Sequence, residues 1–266
     1  MHATTLALVG ATGGAGTTRT AVELAALGAR DGRDVAVVDA AFTTQGLSEY
    51  VTGRIDTDCT ALITDETEAS LSAATYPIAL DNGGDSGGGS GGTDGIDLPG
   101  RADAIPARAP FERLAKAKTA EATQKLERRI DEAATAYDAV IVDAAPVGSN
   151  EAVGAVAAAD RIEAVYPATT HGRDALQRLH GRIADIGGSV DGSIAVARGG
   201  GSRGDSAIDD DAVALPATDP AVASAPVAAA GTDAYTQAIA NAYASAFDTT
   251  VGVEFDDSGV IERLRS

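Results

Sequence analysis

Residues 6–18 read LALVGATGGAGTT, a short apolar run that passes directly into a glycine-rich stretch. The apolar run predicts a buried strand, and the residues after Thr18 have the pattern of a helix that continues to about Arg30. Where a strand leads through a glycine-rich turn into a helix, the free backbone N–H groups of the turn and the helix N-terminus can bind phosphate groups. Glycine suits such a turn because its backbone can approach a phosphate closely and adopt a positive φ. The stretch therefore predicts a phosphate-binding loop.

The alternation of strands and helices continues along the chain. Short runs rich in Val, Ile and Ala predict further strands at Val35–Val38, Ala139–Val142, Ile162–Tyr166, Ile194–Val196 and Ala212–Leu215. Apolar residues at helical spacing predict helices within residues 126–137, 176–186 and 235–246. Because several strand runs are apolar on consecutive positions, helices should cover both faces of the sheet. We expect an α/β fold, a three-layer sandwich with a mostly parallel sheet of about 7–8 strands.

We expect one domain over residues 1–250, interrupted by an insertion at about residues 82–96. Residues 82–95 read NGGDSGGGSGGTDG and contain no apolar side chain. This composition is typical of flexible, solvated segments rather than of a second phosphate-binding loop. Residues 251–266 are expected to form a C-terminal tail. Its end is only faintly amphipathic and follows Asp256 and Asp257, so membrane contact is not expected.

The charge composition excludes some classes of function. The chain has 39 acidic and 20 basic side chains and a net charge of −19. Only three of the basic side chains are lysine. Such a charge excludes electrostatically driven binding to nucleic acid or anionic lipid. Acidic excess with few lysines indicates a protein adapted to a cytosol with molar salt, where screening offsets self-repulsion. No run approaches the ~20 apolar residues of a membrane span, and we expect a cytoplasmic protein.

Cysteine and histidine give no sign of a metal site. Cys59 is the only cysteine, which excludes an intramolecular disulfide and a cysteine-rich metal site. His171 and His180 lie on one predicted helix, but their spacing places them on different faces. The glycine loop is therefore the main candidate for a functional site.

One interpretation of the glycine loop is a dinucleotide-binding turn. Gly10, Gly13 and Gly16 have the spacing G-x-x-G-x-x-G, and Asp39 ends the next strand, where a ribose-binding acid would lie. No tyrosine has a lysine four residues later, so the usual pair of short-chain reductases is absent. The loop alone thus permits an NAD(P)-binding Rossmann protein.

A second interpretation uses more of the chain. Residues 12–18, TGGAGTT, resemble the deviant P-loop of the MinD/ParA ATPases, which reads K-G-G-x-G-K-[ST]. Residues 38–48, VDAAFTTQGLS, are similar to the first switch of that family, and residues 137–146, YDAVIVDAAP, to its second switch. Further similar segments lie at 159–161 and 215–219. Several ordered segments favour this resemblance over the dinucleotide turn.

The resemblance implies a site for ATP and Mg²⁺. It implies phosphate binding by the loop residues Gly13, Gly14, Ala15, Gly16, Thr17 and Thr18. It also implies Thr18, Asp39 and Asp143 as magnesium ligands, with the two aspartates as the candidate catalytic residues. A role in spatial organisation or partitioning, through protein partners, would follow. The chain would then act as a homodimer or as a heterodimer with an active relative.

The chain departs from the family pattern at positions that carry charge. Thr12 replaces the lysine that reaches the partner's nucleotide, and Thr17 replaces the ordinary P-loop lysine. Ala41 replaces the second acid of the first switch, and Ala197-Arg198-Gly199 stands where an adenine-reading Asn is expected. A threonine hydroxyl supplies no positive charge to a phosphate. The sequence thus predicts a degenerate member with weakened or lost hydrolysis, or a scaffold that binds no nucleotide.

Arginines near these segments offer no obvious replacement. Arg19 lies about 100° around the helix from Thr18, so we do not expect it to reach the phosphates. Arg173, Arg178 and Arg182 form a small basic strip on one predicted helix, which is expected to be a solvated face.

Overall fold

The computed structural model describes residues 3–64, 69–80, 96–199, 207–253 and 255. Its helices and strands, in chain order, are β1 (Thr4–Gly10), α1 (Thr17–Arg30), β2 (Asp34–Asp39), α2 (Cys59–Thr64), β3 (Tyr76–Pro77), β4 (Arg101–Ile105), α3 (Phe111–Ala117), α4 (Ala120–Ala136), β5 (Ala139–Ala144), α5 (Asn150–Ala157), β6 (Arg161–Pro167), α6 (Thr170–Asp185), β7 (Gly192–Val196), β8 (Val213–Leu215) and α7 (Ala234–Phe247). The insertion at 82–95 and the tail beyond 255 lie outside the described residues.

The strands form one sheet in the order β3-β4-β2-β5-β1-β6-β7-β8. All neighbouring strands are parallel except β3 and β4, which pair antiparallel. The prediction of a mostly parallel sheet of seven to eight strands is therefore confirmed.

Helices cover both faces of this sheet. On β1, Leu6 and Leu8 point to the layer that contains α1 and α7, whereas Ala7 and Val9 point to the layer that contains α2, α4, α5 and α6. This alternation follows from the two-residue period of a strand, and here both sets of side chains are apolar and buried. The predicted three-layer sandwich is confirmed.

The strand order places the chemistry-bearing segments at one edge. β1 lies between β5 and β6, and β5 separates it from β2. In the classic dinucleotide-binding order the first two strands are neighbours, so this sheet does not have that topology. The C-terminal ends of β1, β2 and β5 meet side by side, and ligands of open α/β sheets bind at this edge.

Candidate functional site

A cleft of about 300 Å³ opens at the C-terminal edge of the sheet. Three segments line it: residues 12–19 after β1, residues 143–146 at the end of β5, and part of the segment after β2. From this last segment the lining residues are Ala41, Thr44, Gly46 and Tyr50. The fold thus brings together all the predicted phosphate-binding residues, from Gly13 to Thr18, with Asp143 opposite them.

The loop of residues 10–16 has the backbone that its glycines allow. Gly14 and Gly16 have φ of +70° and +97°, values that side chains rarely permit. Gly10 is closely packed, since a Cβ there would lie 2.8 Å from Thr17 Oγ1. Gly16 is the N-cap of α1 and offers no side-chain acceptor, and the first turn contains no acid. The first N–H groups of α1 are therefore left without a side-chain cap at the cleft.

Asp143 is a buried carboxylate without a hydrogen-bond partner. It is 1% exposed, it lines the cleft, and neither of its carboxylate oxygens accepts a hydrogen bond from any described residue. Burial raises the pKa of Asp143, and the Thr18 hydroxyl, which lies near the carboxylate but outside hydrogen-bonding geometry, opposes this rise. An unpaired buried carboxylate calls for an explanation such as an ion. Carboxylate and hydroxyl oxygens with water suit Mg²⁺, so Thr18 and Asp143 fit that cation.

Asp39 lies behind the cleft rather than in its lining. Its Cα pairs with that of Asp143 across β2 and β5. One carboxylate oxygen accepts a hydrogen bond from the Ala41 amide at 2.9 Å, and the other from the Ala107 amide at 3.2 Å. Burial and the charge of Asp143 raise the pKa of Asp39. Asp39 thus anchors two loops, and a fully buried acid is poorly placed to bind a ribose.

The cleft lacks a free positive charge among its described lining residues. Thr12 and Thr17 both line it, and the one cationic lining residue is Arg19. Arg19 Nε lies 2.8 Å from Glu23 Oε1, and its Nη1 donates to the carbonyls of Asp219 and Ala221. Arg19 therefore holds the segment of residues 219–224 against α1 and is not free to bind a phosphate. Backbone amides are therefore the main hydrogen-bond donors that this cleft could offer to a phosphate.

The lining residues Thr44, Gly46 and Tyr50 were not singled out from the sequence. Gly46 lies against Thr18, since a Cβ on Gly46 would be 3.4 Å from Thr18 Oγ1. The Gln-Gly turn within residues 38–48 was a signal for this segment, whereas Tyr50 belongs to no motif. Burial raises the pKa of the Tyr50 hydroxyl.

Solved structures resemble this chain, although no family profile and no curated protein matches it. MinD of Pyrococcus furiosus, a cell division ATPase, superposes with a TM-score of 0.61 at 19% identity over 78% of this chain and 77% of its own. MinD of Pyrococcus horikoshii in complex with Mg-ADP gives 0.60 at 19% identity over 76% and 73%. A McdA variant of Cyanothece in complex with ATP gives 0.54 at 22% identity over 73% and 70%. The chain has the MinD/ParA-like P-loop ATPase fold.

The resemblance inferred from the motifs is thus confirmed for the MinD/ParA-like fold. At identities near 20% the likeness shows the fold alone and assigns no role to the residues of the site. Over the described ranges, no cluster of three or more His, Cys, Asp or Glu side chains is arranged to hold a metal. Within the same ranges, no helix has the length and apolar character needed to cross a membrane.

Proposed function

We propose that this MinD/ParA-like chain binds a magnesium nucleotide and hydrolyses it slowly or not at all. The observation that carries the proposal is Asp143, a buried carboxylate without a partner that lies beside Thr18 and faces a glycine loop. The Mg-ADP and ATP complexes of proteins with the same fold support it. Thr18 and Asp143 would hold Mg²⁺, and Asp39 would hold the loops after β2 and β4 through the Ala41 and Ala107 amides.

The phosphates would be bound mainly by the backbone. The amides of Gly13, Gly14, Ala15 and Gly16 and the uncapped start of α1 offer donors aligned with the positive end of a helix dipole. A bound Mg²⁺ would neutralise part of the phosphate charge. Thr17 and Thr18 would add hydroxyl donors, which are weaker toward a polyanion than a lysine.

Weak or absent hydrolysis follows from the residues that the cleft lacks. Neither Thr12 nor Thr17 carries the positive charge with which a lysine stabilises the transition state of phosphoryl transfer. Ala41 lines the cleft where the family pattern implies an acid that orients water, and its methyl group cannot do so. Nucleotide would then act as a structural ligand. Such a chain would contribute to spatial organisation or partitioning through protein partners, as a homodimer or beside an active relative.

Calorimetry in molar KCl tests the proposal with ATP, ADP, GTP, NADH and NADPH, each with and without Mg²⁺. We expect Mg-dependent binding of a nucleoside di- or triphosphate and no binding of NADH or NADPH. Asp143→Asn should abolish the Mg²⁺ dependence. Glu163→Gln is the matched control. Glu163, on β6, is also a buried carboxylate, and one of its oxygens has no hydrogen-bond partner among the described residues.

Three results would count against the proposal. Binding of NADH would favour the dinucleotide interpretation, and binding of no nucleotide would favour a scaffold. An equal effect of Asp143→Asn and Glu163→Gln would show that Asp143 acts through the fold and not through the metal.

A further inference from the structure

A second, smaller cavity of about 220 Å³ lies next to the glycine loop. Ala11 and Thr12 of the loop line one side, and Pro146, just after β5, lines another. The remaining lining residues belong to α6, namely Ala175, Arg178, Leu179 and Arg182. This lining contains two arginines and no acidic side chain. The cavity therefore has a positive character at the point where the loop has lost its lysine.

These arginines are unusual in so acidic a chain. Arg178 makes no ion pair or hydrogen bond with any described residue, although the sequence contains 39 acids. Arg182 Nη1 donates to the Val147 carbonyl at 3.0 Å, which ties α6 to the segment after β5. In contrast, Arg173 on the same helix pairs with Asp209 at 2.9 Å. The two arginines at the cavity thus keep their charge available.

We propose that Arg178 and Arg182 form an oxyanion subsite that binds a phosphate group beside the glycine loop. A guanidinium presents several donors in a planar fork that matches phosphate oxygens. The subsite would supply, from α6, positive charge that Thr12 and Thr17 do not provide. This inference deepens the proposed function and in part rests on it: the phosphate group is either the terminal phosphate of a nucleotide at the loop or a phosphate ion bound by itself.

The test compares Arg178→Gln and Arg182→Gln with Arg128→Gln. Arg128 is an exposed residue of α4 with no partner among the described residues, so its replacement removes the same charge away from the cavity. Affinities for inorganic phosphate, Mg-ADP and Mg-ATP are measured by calorimetry at one fixed KCl concentration. We expect Arg178→Gln to weaken phosphate binding about tenfold and to leave Mg-ADP unchanged.

The probes distinguish the source of the phosphate group. A loss of Mg-ATP affinity together with phosphate affinity identifies the terminal phosphate, and a loss for phosphate alone identifies a separate ion. The subsite is overturned if neither variant at the cavity differs from Arg128→Gln with any probe. That result, with wild-type binding of Mg-ADP intact, would leave the proposed function standing. Conversely, a cavity-specific loss for phosphate in a chain that binds no nucleotide would support the subsite and reject the nucleotide.

Discussion

Asp39 and Asp143 lie opposite each other across β2 and β5, but only Asp39 has hydrogen-bond donors on its carboxylate. Both side chains are buried, at 0% and 1% exposure. Two adjacent buried carboxylates cost free energy unless one is protonated or a cation is bound. The two amides that bind Asp39 give it a structural role, whereas Asp143 remains free to act on a ligand. This difference separates two residues that the sequence motifs had grouped together.

The left-handed backbone at Gly16 should be essential to the loop. Gly16→Ala places a side chain at φ +97°, and we expect it to lower the free energy of unfolding by about 1–2 kcal/mol. Gly13→Ala is the control, because Gly13 has no positive φ and open space around a Cβ. Denaturant unfolding in molar KCl measures both. Equal losses for the two variants would contradict a specific backbone requirement at Gly16.

Glu163 should make stability depend on pH. Burial raises the pKa of this β6 carboxyl from 4.5 to about 7, with Arg161 opposing and Asp191 adding to the rise. Between about pH 4.5 and 7 the folded chain therefore retains a proton that the unfolded chain releases, so the contribution of Glu163 to stability is full below about pH 4.5 and is lost as the pH rises through about 7. Glu163→Gln should remove this decline and stabilise the protein at pH 8 by about 2 kcal/mol.

Thermal unfolding between pH 4 and pH 8 measures the effect. The control is Glu121→Gln, since the Glu121 side chain is 80% exposed and should show no comparable change. A pH profile of Glu163→Gln that runs parallel to that of the wild type would reject the assignment.

Strands with continuous apolar runs were predictable, and the others were not. β4 reads RADAI and was missed, because its charged residues find partners far away in the chain. Arg101 pairs with Asp34 at 3.1 Å, and the Tyr137 hydroxyl donates to Asp103 at 2.8 Å.

The short helices α2, α3 and α5 were also missed, as each is at most eight residues long.

The glycine loop and Asp143 were predictable because each follows a strand in a recognisable motif. The cavity at Thr12 was not, because its lining comes from residues 11–12, 146 and 175–182, and only the strand order brings these together. The basic strip on α6 is exposed, as expected. That Arg178 and Arg182 also line this cavity, whereas Arg173 pairs with Asp209, could not be read from the sequence.

Stability should depend strongly on salt. A net charge of −19 creates self-repulsion that ions must screen. We expect near-UV circular dichroism to show loss of tertiary structure below roughly 0.3 M KCl, where the Debye length exceeds about 5 Å. Neutral sucrose in dilute buffer should not substitute fully for KCl, since it does not screen charge. Full stability in dilute buffer would reject the prediction of adaptation to molar salt.

A lysine at position 17 should strengthen nucleotide binding. Thr17 lines the cleft beside the loop amides, where a phosphate would bind. Thr17→Lys would add a charge-assisted contact to phosphate of about 1.5–3 kcal/mol, or roughly ten- to a hundredfold in affinity. Calorimetry with Mg-ATP in molar KCl measures the gain. Thr17→Met, which adds length without charge, should show none.

Two additional substitutions distinguish nucleotide affinity from dimerisation and from hydrolysis. Thr12→Lys in the Thr17→Lys background should act only if two chains face each other, so its effect should be dimerisation that depends on nucleotide. Ala41→Asp should change phosphate release and not affinity, because an acid there orients water and does not bind phosphate. If Thr17→Lys leaves the affinity for Mg-ATP unchanged while the wild type binds NADH, the loop is a dinucleotide turn on a P-loop fold. A further outcome is that Thr17→Lys binds Mg-ATP tightly while the variant that also carries Ala41→Asp still releases no phosphate. That result would show that nucleotide binding and hydrolysis depend on separate positions, and that an acid at position 41 is not sufficient for hydrolysis.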